Sequence, residues 1–580
     1  MNRKIIREYV IIIVLYALLT AILTYPMILH VSDTIGGGDE AFTCWSLTWT
    51  TKKVLEDPIN LFHANIFYPA NEYSLALSEH LTGWTIFSIP VYGITHDPVF
   101  THNFVRLLTF ILCGFGMYLL TYRYTQNRYA AFIAGIFFAF YGYRMAIQLH
   151  LLAMQWVPFM LLFLDKFFHS LKFRDIVAAS GFFILSALSS WYVGIFTTII
   201  GVLFILGYVI LDFEVLNRLI SKKAVVKILI SLACIIITLT PFALPYFEAS
   251  QHYDAERDLD EPVNSSWSCD PIFLIHQFGL LFFIFSLVGL LLPLSRNTAL
   301  KPDRKFVRSQ KIPIIFAGIG VISYILALGP VLKLNGVQTG ILAPYYFVYS
   351  IIPYIAIIRD LSRFSFIMSL AGSVLIGFGV AAILYRIKKD ALKTIVAIGC
   401  IILAIIGSWH VPVQIPASLA TGDQVPEVYR WLAEQPDDVK IIEIPTRWVE
   451  DNSEYTYYSV YHWKEMVNGY SGRDVELASK IMRDTGGYFP SDNTVSLLQH
   501  IGVKYVIIHP DRIRIMENIP DDQAEAFISQ YLSSLNQKIE QNYNSTVRMA
   551  GSFGNAVVYE IRNTPEVLPD DVILLFQNGW

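Results

Sequence analysis

The sequence predicts an α-helical polytopic membrane protein of about eleven transmembrane helices, amino end inside and carboxy end outside, closed by an extracytoplasmic α/β domain. Three observations predict it. Of 580 residues, 54% are hydrophobic and 16% charged, and the mean hydropathy is +0.48, whereas soluble domains run near a quarter charged. The missing charge is concentrated in long apolar runs spread over residues 1–412. From Val413 onward those runs stop, and short apolar stretches alternate with polar helical ones. A net charge of −4 with no clustered basic face excludes nucleic acid as a partner. The five cysteines show no metal-binding spacing. Three lie inside apolar runs, while Cys44 and Cys269 lie outside them and leave one pairing open.

Arg3, Lys4 and Arg7 precede the first run, Tyr9–Leu29, which is long enough to span and is followed by no small-residue cleavage site. Residues 31–97 form the first outer loop. Its one apolar piece, Leu81–Ile94, is short, contains Pro90 and reads as interfacial. Further spans are expected near 98–122, 129–147, 151–168, 175–190, 192–212, 225–247, 272–294, 313–332, 364–385 and 394–412. With that assignment Arg123 and Arg128, Lys172 and Arg174, Lys222 and Lys223, Arg304 and Lys305, and Lys388 and Lys389 all fall on one side, as cytoplasmic loops require. A spanning Leu81–Ile94 would turn every later basic loop outward. The domains are therefore 1–412, transmembrane, and 413–580, extracytoplasmic. In the latter, 425–434, 494–501 and 521–538 read as helices, and Val439–Ile444, Val503–His509 and Ala556–Ile561 as strands.

The chain is organised around Gly36-Gly37-Gly38-Asp39-Glu40, a glycine turn carrying two carboxylates where the chain leaves the membrane. Trp45 and Trp49, four apart, would share one helix face resting in the interface. Many ionisable residues collect at the outer end of the spans, where they argue for a polar cavity opening outward. Sugar transfer from a lipid-phosphate donor needs a base for the acceptor hydroxyl and cationic stabilisation of the departing phosphate. Asp39 suits the base. Glu40 fits either a metal ligand or a helix-start charge. A divalent metal, magnesium or manganese, stays open, because Asp-Glu is not the spaced D-x-D that holds such ions. Arg359 and Arg363 in "IIRDLSRF", and Arg144 closing "FAFYGYR", suit phosphate oxygens, although Asp360 could pair with either of the first two. Glu79 and His80 in "LALSEHLTG", and His150 and Gln155 in "QLHLLAMQW", are further substrate-binding candidates. "YYSVYHWKEMVNGYSG" suits a sugar ring or a docking face equally.

Together these segments resemble the GT-C superfamily of integral-membrane glycosyltransferases, in its poorly characterised prokaryotic branch. The resemblance rests on "GGGDEAFTCWSLTW" after a first span, "NIFYPANEYSLALSEH", "FYGYRMAIQLHLLAMQWVPFMLLFLDKF" and "IIRDLSRFSF" before a late span. It also rests on the tail segments "VYRWLAEQP" and "LLQHIGVKYVIIHP". It implies a polyprenyl-phosphate-linked sugar as donor, a cell-envelope glycan, lipid or protein as acceptor, and inverting transfer at the plasma membrane. It further implies Asp39 as the base, with Arg144, Arg359 and Arg363 holding the lipid phosphate. Two rival readings remain: a transporter or flippase for lipid-linked glycans, and a non-catalytic partner of a glycosyltransferase.

Overall fold

A computed structural model of the chain describes residues 3–145, 147–253, 268–294, 311–351, 358, 360–408, 419–447, 449–473 and 475–562. The chain divides into two compact units. The first comprises Met1–Leu29, Phe104–Phe242 and Glu256–Gln414; the second comprises His30–Asn103, Ala243–Ala255 and Ile415–Trp580.

The first unit is built of helices, and each expected span falls on one. Among the described residues, seven helical segments are long and apolar enough to cross a bilayer: Arg3–Leu23, Pro98–Thr125, Leu149–Ser170, Trp191–Leu211, Lys222–His252, Leu361–Arg386 and Asp390–Ser408. The remaining runs form Arg128–Phe140, Phe173–Ser189, Pro271–Leu294 and Lys311–Ala327. Local chemistry sets several boundaries. Asn127 caps Arg128–Phe140 by accepting from Ala130 N at 3.0 Å, and Ser190 caps Trp191–Leu211. Leu361–Arg386 is 94% buried over its apolar window, with Pro271–Leu294 packed closely on it. A Cβ at Gly289 would fall 1.7 Å from the Leu375 carbonyl oxygen, so only glycine admits this crossing. Asp165, 1% exposed, is satisfied by Arg123 Nε at 2.9 Å and by the Tyr208 hydroxyl. A hairpin that the hydropathy pattern does not announce, β1 (Val331–Leu334) and β2 (Val337–Leu342), turns at Asn335-Gly336. Both turn residues have positive φ, as a two-residue hairpin loop demands.

The second unit unites residues 30–103 with the carboxy-terminal segment. Its sheet contains β3 (Lys440–Ile444), β4 (Glu465–Met466), β5 (Val503–Ile508), β6 (Val547–Phe553) and β7 (Ala556–Ile561), in the order β4-β3-β5-β7-β6. β4, β3 and β5 run parallel, while β7 and β6 are antiparallel. The three expected strands and three expected helices all form. The pattern did not announce β4, β6 or the helices Val449–Tyr458, Glu476–Tyr488 and Pro510–Met516. The interfacial piece forms a helix at Thr85–Thr95, 11 residues long. At ~1.5 Å per residue that is far short of a ~30 Å hydrocarbon core.

Two expectations are corrected. Trp45 and Trp49 do share a helix face, but the face is buried rather than interfacial. They are 0% and 4% exposed and stack at 6.1 Å. Trp49 packs on Trp463 at 6.0 Å, and Trp45 Nε1 donates to Asn65 Oδ1 at 3.2 Å. The cause lies in the helix Asp39–Glu56 itself, whose residues 41–51 are all buried, so its indoles serve as core. Trp45→Ala is accordingly expected to cost about 3–5 kcal/mol, read as a lowered melting temperature of the purified protein. Cys44 and Cys269 are both buried and free, so the open pairing does not form.

Candidate active site

The acidic turn takes the form its glycines permit. Gly38 has φ 62° and ψ −133°, a conformation that L side chains rarely adopt, and it starts the helix Asp39–Glu56. Asp39 and Glu40 occupy the first turn of that helix, where carboxylates complement the helix dipole. Of the two readings of Glu40, this position matches the helix-start charge. Asp39 is exposed and Glu40 half-buried.

Three hydrogen bonds from the carboxy-terminal segment hold the turn. Leu419 N donates to Ile35 O at 3.0 Å. Gly38 N donates to Ser453 Oγ at 3.1 Å, and the Tyr470 hydroxyl donates to Asp39 Oδ1 at 2.5 Å. Tyr470 also packs edge-on against Phe42 at 5.3 Å. Of these three partners only Tyr470 stands in a segment that the sequence singles out, and nothing local marks it as a partner of Asp39.

Behind the turn, Glu450, Asp451, Glu454, Arg512 and Ile515 line a cavity of about 530 Å³. Arg512 pairs with Asp451 at 2.6 Å and with Glu454. Burial pushes the Asp451 carboxyl above the usual range even with Arg512 beside it. Arg512→Met, which strands these carboxylates, is expected to destabilise the protein by about 3 kcal/mol, visible in a thermal melt. At the carboxyl ends of β3 and β5, Glu443 accepts from the Tyr429 hydroxyl at 2.9 Å and meets His509 Nε2 at 2.7 Å.

The other candidates are distributed as follows. His80 is 1% exposed, and its Nδ1 accepts from Thr82 N at 3.0 Å. Burial lowers its pKa to about 3, so it is a neutral histidine. Glu79 is half-buried, and its carbonyl takes the Ser46 hydroxyl at 2.7 Å. In the aromatic segment Tyr457, Tyr458 and His462 are buried, and Trp463 lies against Trp49. Among the described residues, no three histidine, cysteine or carboxylate side chains converge as a metal ion would require. No step through a divalent ion is therefore derived.

In the first unit Arg144 stands apart. It sits on the short helix Gly142–Met145 and is 0% exposed. Nη2 donates to Leu152 O at 2.5 Å, and the guanidinium lies over the Phe110 and Phe138 rings at 5.8 and 5.9 Å. Nε and Nη1 have no hydrogen-bond partner among the described residues. Arg363 is different: it pairs with Asp360 at 3.5 Å and lies over Tyr192 at 4.6 Å. Asp360 itself caps the following turn through Ser362 N. Gln155 is fully buried, and exchanging its amide oxygen and nitrogen lets it accept from Trp156 Nε1 at 2.9 Å. His150 is half-buried in the turn Leu149–Gln155. Arg359 lies outside the described residues, as do Asp254, Arg257, Asp258 and the basic loop 295–310.

These features define a class, an α-helical polytopic membrane protein carrying a small mixed-sheet α/β fold. No known family's sequence profile and no curated protein matches the chain. Among solved structures, it is similar to the archaeal oligosaccharyltransferase AglB from Archaeoglobus fulgidus in complex with an inhibitory peptide and a dolichol-phosphate. That match has 13% identity and a TM-score of 0.47, over 88% of this chain and 70% of that one. It is also similar to ArnT from Cupriavidus metallidurans bound to undecaprenyl phosphate, with 12% identity and a TM-score of 0.39, over 97% and 98% of the two chains.

Proposed function

We propose that the protein is an inverting glycosyltransferase of the prokaryotic plasma membrane. It moves a sugar from a polyprenyl-phosphate donor to an extracytoplasmic acceptor of the cell envelope. Asp39 takes the proton of the acceptor hydroxyl as its oxygen attacks the anomeric carbon. The bond from that carbon to the phosphate oxygen breaks, and the polyprenyl phosphate leaves with the electron pair. Arg144 compensates the phosphate charge before and after departure, with Arg363 and Arg359 as further cations.

The observation that carries this reading is Arg144, a fully buried guanidinium with two nitrogens lacking partners among the described residues. A buried charge without a counter-ion costs several kcal/mol, a cost that an anionic ligand removes. A lipid phosphate suits a planar fork at membrane depth. The exposed carboxylate of Asp39 on a fixed turn supports the second half of the chemistry.

Comparing the total lipid and envelope glycans of cells with and without the protein tests the proposal. One glycosylated species is expected to vanish with the protein, and an unchanged glycan profile would overturn the reading. A flippase would instead expose a cysteine at position 39 alternately to reagents on both faces, whereas a transferase keeps it accessible from outside only. A non-catalytic partner would show no thermal stabilisation by a polyprenyl-phosphate sugar.

A further inference from the structure

We infer that Tyr470 is the positioning residue of the Asp39 carboxylate, so that the carboxy-terminal segment, through one phenol, sets the orientation of the base. This rests on the reading of Asp39 as base and adds the group that aims it. Three observations lead there. The Tyr470 hydroxyl is 2.5 Å from Asp39 Oδ1, at the close end of the range for a hydroxyl donating to a charged acceptor. The ring is fixed edge-on by Phe42, three residues along the same helix as Asp39, so phenol and carboxylate share one rigid frame. Asp39 itself is exposed, and a directed donor on Oδ1 bears on the rotamer its carboxylate adopts.

Burial, and then the hydrogen bond to Asp39, raise the phenol above its ordinary range. Tyr470 thus keeps its proton through the physiological range and acts as a fixed donor rather than a second base. The Ser453 and Leu419 bonds to the turn restrain the backbone at Gly38 and Ile35. Tyr470 alone, among these three contacts, reaches the carboxylate. Proton abstraction depends on heavy-atom geometry within a few tenths of an ångström, so losing a donor that orients the base lowers the rate without unfolding the site.

The test is Tyr470→Phe in the full-length protein, with two readouts. The rate of formation of the protein-dependent glycan in cells is expected to fall roughly 10–100-fold, the loss typical of one hydrogen bond to a charged group. The thermal stabilisation of the purified protein by undecaprenyl phosphate, a probe that carries no acceptor, is expected to stay as in the wild type. Loss of that stabilisation as well would reduce Tyr470 to a structural residue and overturn the inference. So would a wild-type rate in Tyr470→Phe while Asp39→Asn is inactive. Product formation at the wild-type rate by Asp39→Asn would instead remove the base reading, and this inference with it. A contact readout needs no activity at all. With 3-fluorotyrosine at position 470, the fluorine resonance is expected to move on Asp39→Asn, and an unmoved resonance contradicts the contact.

Discussion

Asp39→Asn is expected to lower transfer by roughly 10²–10⁴-fold, in a protein that expresses and melts like its parent. The amide keeps the size of the carboxylate and can still accept from the Tyr470 hydroxyl, now 2.5 Å from Oδ1. What it loses is the capacity to take a proton. The structural cost is small, because Asp39 is exposed and its contribution to the helix start is about 0.3–1 kcal/mol. The measurement is the rate of formation of the protein-dependent glycan, with melting temperature as control. A fully active, normally folded Asp39→Asn protein would remove the mechanism.

Arg144→Met is the second large effect, and it separates binding from folding by sign. Among the described residues the guanidinium makes one hydrogen bond, to Leu152 O at 2.5 Å, and lies over the Phe110 and Phe138 rings. Removing a buried charge that has no counter-ion among the described residues is expected to leave the unliganded protein at least as stable as the wild type. The same change is expected to weaken undecaprenyl phosphate binding by roughly 30–1,000-fold, the equivalent of ~2–5 kcal/mol for a buried charge contact. Thermal melts with and without that lipid read both quantities. Arg363→Met is expected to lose no more than about tenfold, because Asp360 already balances Arg363. A large loss of stability in Arg144→Met without ligand would mean that the arginine is a structural element.

Most of the fold was legible in the sequence because hydrophobic runs and basic loops are properties of the chain itself. Every expected span falls on a helix, and the short strands Lys440–Ile444, Val503–Ile508 and Ala556–Ile561 were announced by their apolar runs. β4, two residues long, and β6, mostly exposed, were silent because neither has an apolar run to read. The Asn335-Gly336 hairpin carried a readable turn signal, but it lay beside a predicted span and drew no strand assignment. Trp45 and Trp49 illustrate a deeper limit: their spacing gave the helix face, yet whether that face meets lipid or protein depends on a partner, Trp463, more than four hundred residues away in the sequence. The site divides along the same line. The glycine turn and its carboxylates are local and were found, and Arg144 was found from its aromatic run. Tyr470 and Ser453 act on Asp39 and its turn only through the tertiary fold. Conversely, the motif-adjacent His80 is removed from ionic chemistry by burial, which no local pattern states.

The most direct test of glycosyl transfer uses the purified protein in liposomes, supplied with tritiated sugar on undecaprenyl phosphate and an envelope extract as acceptor. The label is expected to leave the polyprenyl lipid and appear covalently on a product that is absent with Asp39→Asn. Label that crosses the bilayer while still joined to undecaprenyl phosphate, with no new product, would contradict the enzyme and make the protein a carrier of lipid-linked sugar.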